Sequence, residues 1–278
     1  MAEAKVAMVT GATRGIGRCG ALDLASRGYD VVVTGRTVHE GDAKEAGVVI
    51  PGSLDATAEQ IEARGRRCLP IAMDIMDRTS IRAGFERVMR DWGRIDVLVN
   101  NAPYSGPGTD AKFLDIDCEL ATKVVEADYT NQICLTQLAV PGMLERGAGT
   151  IINLGSGSAL VPPPAPAGDG GWSLVHCAGK AAFHQMAVIL NVEFRARGIR
   201  AFTLEPGYTI TERRRALNRK DEFIEHFRGD PPEVAGAVIG WLADEVAAAD
   251  PLLGGMVHAQ AVCKRHGLVP GWPPAAEG

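Results

Sequence analysis

Short apolar runs alternate along this chain with longer stretches in which apolar residues recur every three or four positions. The short runs are Val6 to Val9, Asp30 to Thr34, Cys68 to Met73, Ile95 to Val99, Thr150 to Ser156, Ile199 to Leu204 and Met256 to Ala261. Several are rich in β-branched residues and apolar at consecutive positions, as strands covered on both faces must be. Between them, Cys19 to Arg27 is amphipathic. Ser53 can cap a helix carrying Leu54, Ala58 and Ile61, and Ile81, Phe85, Val88, Met89 and Trp92 form another apolar stripe. Two longer helical stretches run from about residue 117 to 145 and from Trp172 to Arg197, where Gly198 stops the second. Strand and helix in strict alternation predict an α/β fold with a mostly parallel sheet of about seven strands. Nothing along the 278 residues reads as a repeat or an interdomain linker, so one domain spanning 1–278 is expected.

Three stretches break the alternation: an irregular insertion at 37–52, a loop at 157–171 with four prolines and four glycines, and a segment at 207–230. The loop is too proline-rich for a helix and lies where a substrate loop would be expected. The net charge of −5 offers no footprint for nucleic acid or an anionic membrane. Six cysteines without C-x-x-C spacing argue against a zinc site or a disulfide framework, and the six histidines show no metal-ligand spacing. No signal segment precedes the first strand and no stretch could span a bilayer, so a cytoplasmic protein without bound metal is expected.

The candidate chemistry begins at Thr10-Gly11-Ala12-Thr13-Arg14-Gly15-Ile16-Gly17, between the first strand and the first helix. Gly11 permits a tight turn, Gly15 lets the backbone approach a pyrophosphate, and Gly17 lets helix pack on strand, so the helix N-terminus faces the anion. At the end of the second strand an acid would select the ribose 2′-hydroxyl of NAD and an arginine the 2′-phosphate of NADP. Here stands Arg36, with Arg14 nearby and no acid, which points to NADP over NAD.

The spacing T-G-x-x-x-G-x-G resembles that of the short-chain dehydrogenase/reductase superfamily, and the resemblance covers nearly the whole chain. It implies a doubly wound Rossmann domain, hydride transfer between NADP(H) and a carbonyl or secondary alcohol of a small substrate, and a homo-oligomer, dimer or tetramer, joined through the two long helices. By the same resemblance Asp74 and Ile75 meet the adenine, and Asn100-Asn101-Ala102 brace the sheet and touch the adenosine ribose. In this chain Pro103 stands where the family's N-N-A-G motif has glycine. The turn carrying Pro206, Gly207, Thr209 and Thr211 belongs to the nicotinamide end, and Ser156 holds the substrate oxygen.

Two positions depart from the pattern. The family's Y-x-x-x-K pair stacks tyrosine and lysine on one helix face; here Lys180 is preceded at that spacing by His176. Asp128 occupies the position where the family carries an asparagine that supports a proton relay. Imidazole can exchange protons. It is shorter than phenol by about 2 Å, and a misplacement of about 1 Å can cost about a hundredfold in rate. Three readings follow: His176 exchanges the proton, Tyr104 or Tyr208 does so instead, or the fold binds the dinucleotide without ordinary alcohol–ketone redox. Cys177 beside His176 points about 100° away and reads as a buried thiol. Arg213-Arg214-Arg215 reads as a solvated helix face.

Overall fold

The computed structural model describes residues 4–104, 111–217 and 229–274. Seven strands build one sheet: β1 (Val6–Thr10), β2 (Asp30–Gly35), β5 (Cys68–Ala72), β6 (Val97–Asn100), β7 (Gly149–Leu154), β8 (Ile199–Glu205) and β9 (Met256–His258). Their order is β5-β2-β1-β6-β7-β8-β9 and every neighbouring pair is parallel. Alternate residues feed two apolar layers. Val31 and Val33 enter one with Val99, Phe202 and Leu204, while Val32 enters the other with Met8, Leu98 and Ile151. The first layer is covered by α1 (Gly15–Ser26), α2 (Leu54–Glu62), α8 (Pro232–Asp244) and α10 (Ala259–His266), the short α9 (Val246–Ala249) lying between the last two in the chain. The second is covered by α3 (Arg78–Trp92), α5 (Asn131–Arg146) and α6 (Leu174–Phe194). Two covered faces explain why the strands are apolar at consecutive positions.

From β1 the chain winds outward through β2 to β5, then returns to β6 on the opposite side of β1. That reversal opens a crevice at the carboxyl ends of β1 and β6, the place where ligands bind in open parallel sheets.

Several local expectations need amending. The insertion at 37–52 contains a small antiparallel hairpin, β3 (Lys44–Glu45) with β4 (Val48–Val49). The last strand ends at His258, because α10 begins at Ala259. The loop at 157–171 includes a 3-10 turn at Gly157–Ala159 and a bridge between Ala167 and Gly171. The second long helix starts at Leu174, since the Ser173 hydroxyl caps it by accepting from the His176 N–H. The helical stretch near 117–145 comprises α4 (Cys118–Val125), a π-helical turn at Glu126–Thr130, and α5. Of the segment 207–230, residues 218–228 lie outside the described part, as do residues 105–110 after β6.

Helix α8 has no apolar stripe to betray it in the sequence: all its residues except Glu233 and Asp244 are buried, so it is apolar on every side. It packs tightly on α1, and a Cβ on Gly236 would lie 2.6 Å from the Cβ of Cys19. Gly236→Val is therefore expected to lower the unfolding free energy by about 3 kcal/mol, as overpacking at a rigid contact does. Urea denaturation measures it, and a loss below about 1 kcal/mol would mean the two helices part readily.

Candidate active site

The glycine-rich turn is built from close backbone contacts. Gly11 and Gly15 have φ of +66° and +56°, a region open chiefly to glycine. A Cβ on Gly17 would stand 2.4 Å from the Gly11 carbonyl oxygen and 2.5 Å from Asn101 Nδ2. Asn101 ties the crevice together: its Nδ2 donates to the carbonyls of Thr10 (2.8 Å) and Gly11 (3.2 Å). The Thr10 hydroxyl, which carries no sequence signal beyond its place in the motif, accepts from the N–H groups of Asn101 (2.9 Å) and Ala102 (3.0 Å). Asn100 is fully buried, with Nδ2 donating to Thr136 Oγ1 and Asn153 Oδ1 at 3.0 Å each. Its geometry serves the bracing of β6 to β7. Ile16 packs partly buried against the first apolar layer.

At the β2 rim of the crevice, Arg36 is exposed at the end of β2 and Thr13 is buried against Gly35. Arg14 does not simply face the crevice. Its Nε donates to the Pro51 carbonyl and its Nη2 to that of Gly52, both at 2.7 Å, so it holds the insertion against the turn. Asp74 Oδ1 accepts from the Met76 N–H at 2.9 Å, and buried Ile75 presents its carbonyl to Asn131 Nδ2 at 2.7 Å.

The opposite end gathers the residues of the chemical pattern. Ser156 follows β7, and its hydroxyl oxygen accepts from the N–H and the hydroxyl of Ser158 at 3.2 and 3.0 Å. Ser158 in turn meets half-buried Cys177; burial pushes the Cys177 thiol up, and the Ser158 contact opposes this. His176 lies half-buried in the first turn of α6. One turn later Lys180 is 9% exposed, its Nζ donating to the Leu154 carbonyl at 2.8 Å. Asp128, 6% exposed, sits in the π-helical turn and accepts from the Tyr104 N–H. A Cβ on Gly179 would lie only 3.6 Å from Asp128 Cβ, so the turn is pressed against α6.

Asp128 and Lys180 act on each other's ionisation. Burial raises the Asp128 carboxyl, with the Lys180 charge and then the Tyr104 N–H opposing. Burial lowers the Lys180 ammonium, with Asp128 opposing. A carboxyl raised above its ordinary value of 3.8 binds its proton more tightly in the folded chain. Its contribution to stability is therefore lost as pH rises from the ordinary value through the raised one. Asp128→Asn lacks that loss, so its stability relative to the natural protein is expected to improve as pH rises above the ordinary carboxyl value of 3.8. Urea unfolding across a pH series above that value tests the sign; a difference that stays flat or narrows would contradict the burial argument.

The turn after β8 completes the crevice. Gln260 Nε2 donates to the Pro206 carbonyl at 2.8 Å, the Gly207 N–H donates to Glu205 Oε1 at 2.9 Å, and Thr209 bridges to Asp230. The Thr211 methyl group stands 3.0 Å from where a Cβ on Gly15 would be, which joins this turn to the glycine-rich one. The three arginines are not all solvated: Arg213 pairs with Glu45, and Arg214 donates to the Tyr208 hydroxyl at 2.7 Å while stacking on its ring. Glu212 leaves no signal in the sequence, because its partner, Gly15, is remote along the chain.

Residues 5–222 match the model of the short chain dehydrogenase family. A 3-oxoacyl-acyl-carrier-protein reductase of Staphylococcus aureus is 31% identical over 225 residues, covering 81% of this chain and 82% of that protein. A cyclohexanol dehydrogenase of a Rhodococcus species is 30% identical over 211 residues, covering 75% and 76%. Among solved structures, a short-chain type dehydrogenase/reductase from Mycobacterium marinum superposes with a TM-score of 0.76 at 26% identity, covering 91% of this chain and 93% of its own. The chain belongs to the short-chain dehydrogenase family and is an oxidoreductase acting on CH–OH or C=O groups.

Proposed function

We propose that this short-chain dehydrogenase transfers hydride between NADP(H) and a carbonyl or secondary alcohol of a small, hydrophobic substrate, with His176 exchanging the proton. The observation that carries the reading is the first part of α6: buried Lys180 is fixed to the end of β7, the strand that Ser156 follows, and His176 lies one turn away on the same helix face. The residues present fit a dinucleotide, because the glycine-rich turn already holds an anionic group, the Glu212 carboxylate, on the Gly15 N–H. When bound, the nicotinamide supplies or accepts the hydride.

The chain's own residues do the rest. The backbone of Gly11, Thr13, Gly15, Ile16 and Gly17 cradles the pyrophosphate, and Asn101 with Ala102 walls the crevice. Arg36 meets the 2′-phosphate and so carries the preference for NADP over NAD, while Arg14 shapes the rim through Pro51 and Gly52. Asp74 and Ile75 close the adenine side, with Asn100 bracing the sheet beneath. Pro206, Gly207, Thr209 and Thr211 line the nicotinamide side. Ser156, held by Ser158, orients the substrate oxygen, Lys180 holds the nicotinamide ribose, and Asp128 balances the Lys180 charge and supports the proton relay.

A homo-oligomer, dimer or tetramer, goes with this reading. A groove of about 480 Å³ runs between α5 and α6, lined by Ile133, Val140, Met186 and Ile189 among others, and Ile189 is 44% exposed. Such a face is suited to a second copy. Among the described residues no helix is long and apolar enough to cross a membrane, and the reading carries a cytoplasmic location with it.

Fluorescence titration with NADPH and NADH, followed by NADPH oxidation against ketones, aldehydes and quinones, tests the proposal. Tighter binding of NADPH with turnover of a carbonyl is expected. Binding without turnover on any carbonyl would favour a dinucleotide-binding protein that lacks ordinary redox, and binding of neither would overturn the reading.

A further inference from the structure

Helix α1 lacks a cap of its own. Arg14, at its N-cap, supplies no side-chain acceptor, so the first N–H groups look outward from the glycine-rich turn. The acceptor comes from the far end of the chain. Glu212 opens α7 (Glu212–Ala216), and its Oε2 accepts from the Gly15 N–H at 2.8 Å while its other carboxylate oxygen pairs with Arg18. The next residue, Arg213, makes two hydrogen bonds to Glu45 in the β3–β4 hairpin, at 2.6 and 2.8 Å. Two consecutive residues thus fasten the segment after β8 to the opposite rim of the crevice. Among the described residues the Arg18 Nε is buried without an acceptor, leaving a donor at this spot that Glu212 does not satisfy.

We infer that Glu212 is an internal anion occupying the pyrophosphate position, that the Glu45–Arg213 pair holds it there, and that together they set how tightly the protein binds its dinucleotide. The inference rests on the dinucleotide reading above. The carboxylate and a phosphate oxygen cannot both take the Gly15 N–H, and two anions at that distance in a partly buried place repel. Binding must therefore displace Glu212. Because Arg213 is the adjacent residue, displacement also draws it away from Glu45. The observed affinity is the intrinsic one reduced by the fraction of molecules in which this strap is closed.

Calorimetric titration of the whole protein with NADPH and, separately, with inorganic pyrophosphate tests the strap. Glu212→Gln removes the charge and is expected to tighten both ligands about tenfold, the worth of one charge-assisted hydrogen bond. Glu45→Gln leaves the crevice itself untouched and is expected to tighten both about threefold, as loss of a partly exposed ion pair would. Binding by Glu212→Gln that is unchanged or weaker than that of the natural protein would overturn the inference, since Glu212 would then support the ligand. Unchanged binding by Glu45→Gln would overturn the hairpin's part in it. Thermal unfolding checks that each variant folds, and the exposed hairpin variant carries the test should Glu212→Gln fail to do so. A natural protein that binds pyrophosphate but neither dinucleotide would overturn the cofactor reading instead, with competition by Glu212 still read from the pyrophosphate titrations.

Discussion

His176→Ala is expected to lower kcat for carbonyl reduction by about 10²–10⁴-fold, the usual contribution of a positioned proton donor, while NADPH affinity changes less than about twofold. The split follows from where the groups sit. Lys180 is held by the Leu154 carbonyl and the glycine-rich turn by Asn101, and neither contact passes through His176. The His176 backbone N–H still meets Ser173 Oγ in the variant, so the helix start survives the change. A pH–rate profile adds a readout that packing alone would not move: an inflection belonging to the imidazole in the natural protein should vanish in the variant. Should His176→Ala keep its full rate, the proton must travel by another group, and Tyr208, whose hydroxyl accepts from Arg214, becomes the next residue to replace. His176→Tyr then separates two natural histories. A large gain in reduction of simple ketones would say that the natural enzyme handles something else, whereas a loss would say that the histidine is matched to its own substrate.

Gly17→Ala is expected to abolish dinucleotide binding, with affinity falling at least about a hundredfold and stability by about 3 kcal/mol. The added methyl would stand 2.4 Å from the Gly11 carbonyl oxygen and 2.5 Å from Asn101 Nδ2. Those two atoms are themselves hydrogen-bonded at 3.2 Å, so neither can retreat without separating the turn after β1 from the chain after β6. Separating them dismantles the crevice at its switch point. Gly255→Ala is the fitting control: a Cβ there meets nothing nearer than the Leu252 carbonyl oxygen at 3.8 Å, and a change within about 0.5 kcal/mol is expected. Calorimetric titration with NADPH and urea unfolding read both effects. A Gly17→Ala protein that binds NADPH normally would show that the turn is softer than its contacts imply.

Local chemistry makes much of this molecule legible from its residues alone. Consecutive apolar positions in Asp30 to Thr34 and Ile95 to Val99 mark strands buried on both faces, and Ser53 caps its helix as its type and place suggest, accepting from the Ala56 N–H at 3.0 Å. The glycine spacing and the four-residue interval between His176 and Lys180 are short-range patterns, set by backbone sterics and by the pitch of a helix. Features without such a pattern depend on longer separations. The apolar surface of α8 goes all the way round, so no period distinguishes it. That Arg14 donates to the carbonyls of Pro51 and Gly52 has no short-range pattern either, since they reach it only because the insertion folds back. That the helix through Asp128 widens into a π turn pressed against Gly179, and that Glu212 reaches the N–H of Gly15, also depend on elements far apart in the chain. By itself the sequence determined the strands of the seven-stranded sheet, most of the helices, the phosphate-type turn and the unusual histidine, because neighbouring residues impose those through dihedral preference and side-chain periodicity. Only the tertiary structure decided which charged group meets which, because a buried or half-buried charge takes the partner that packing brings to it.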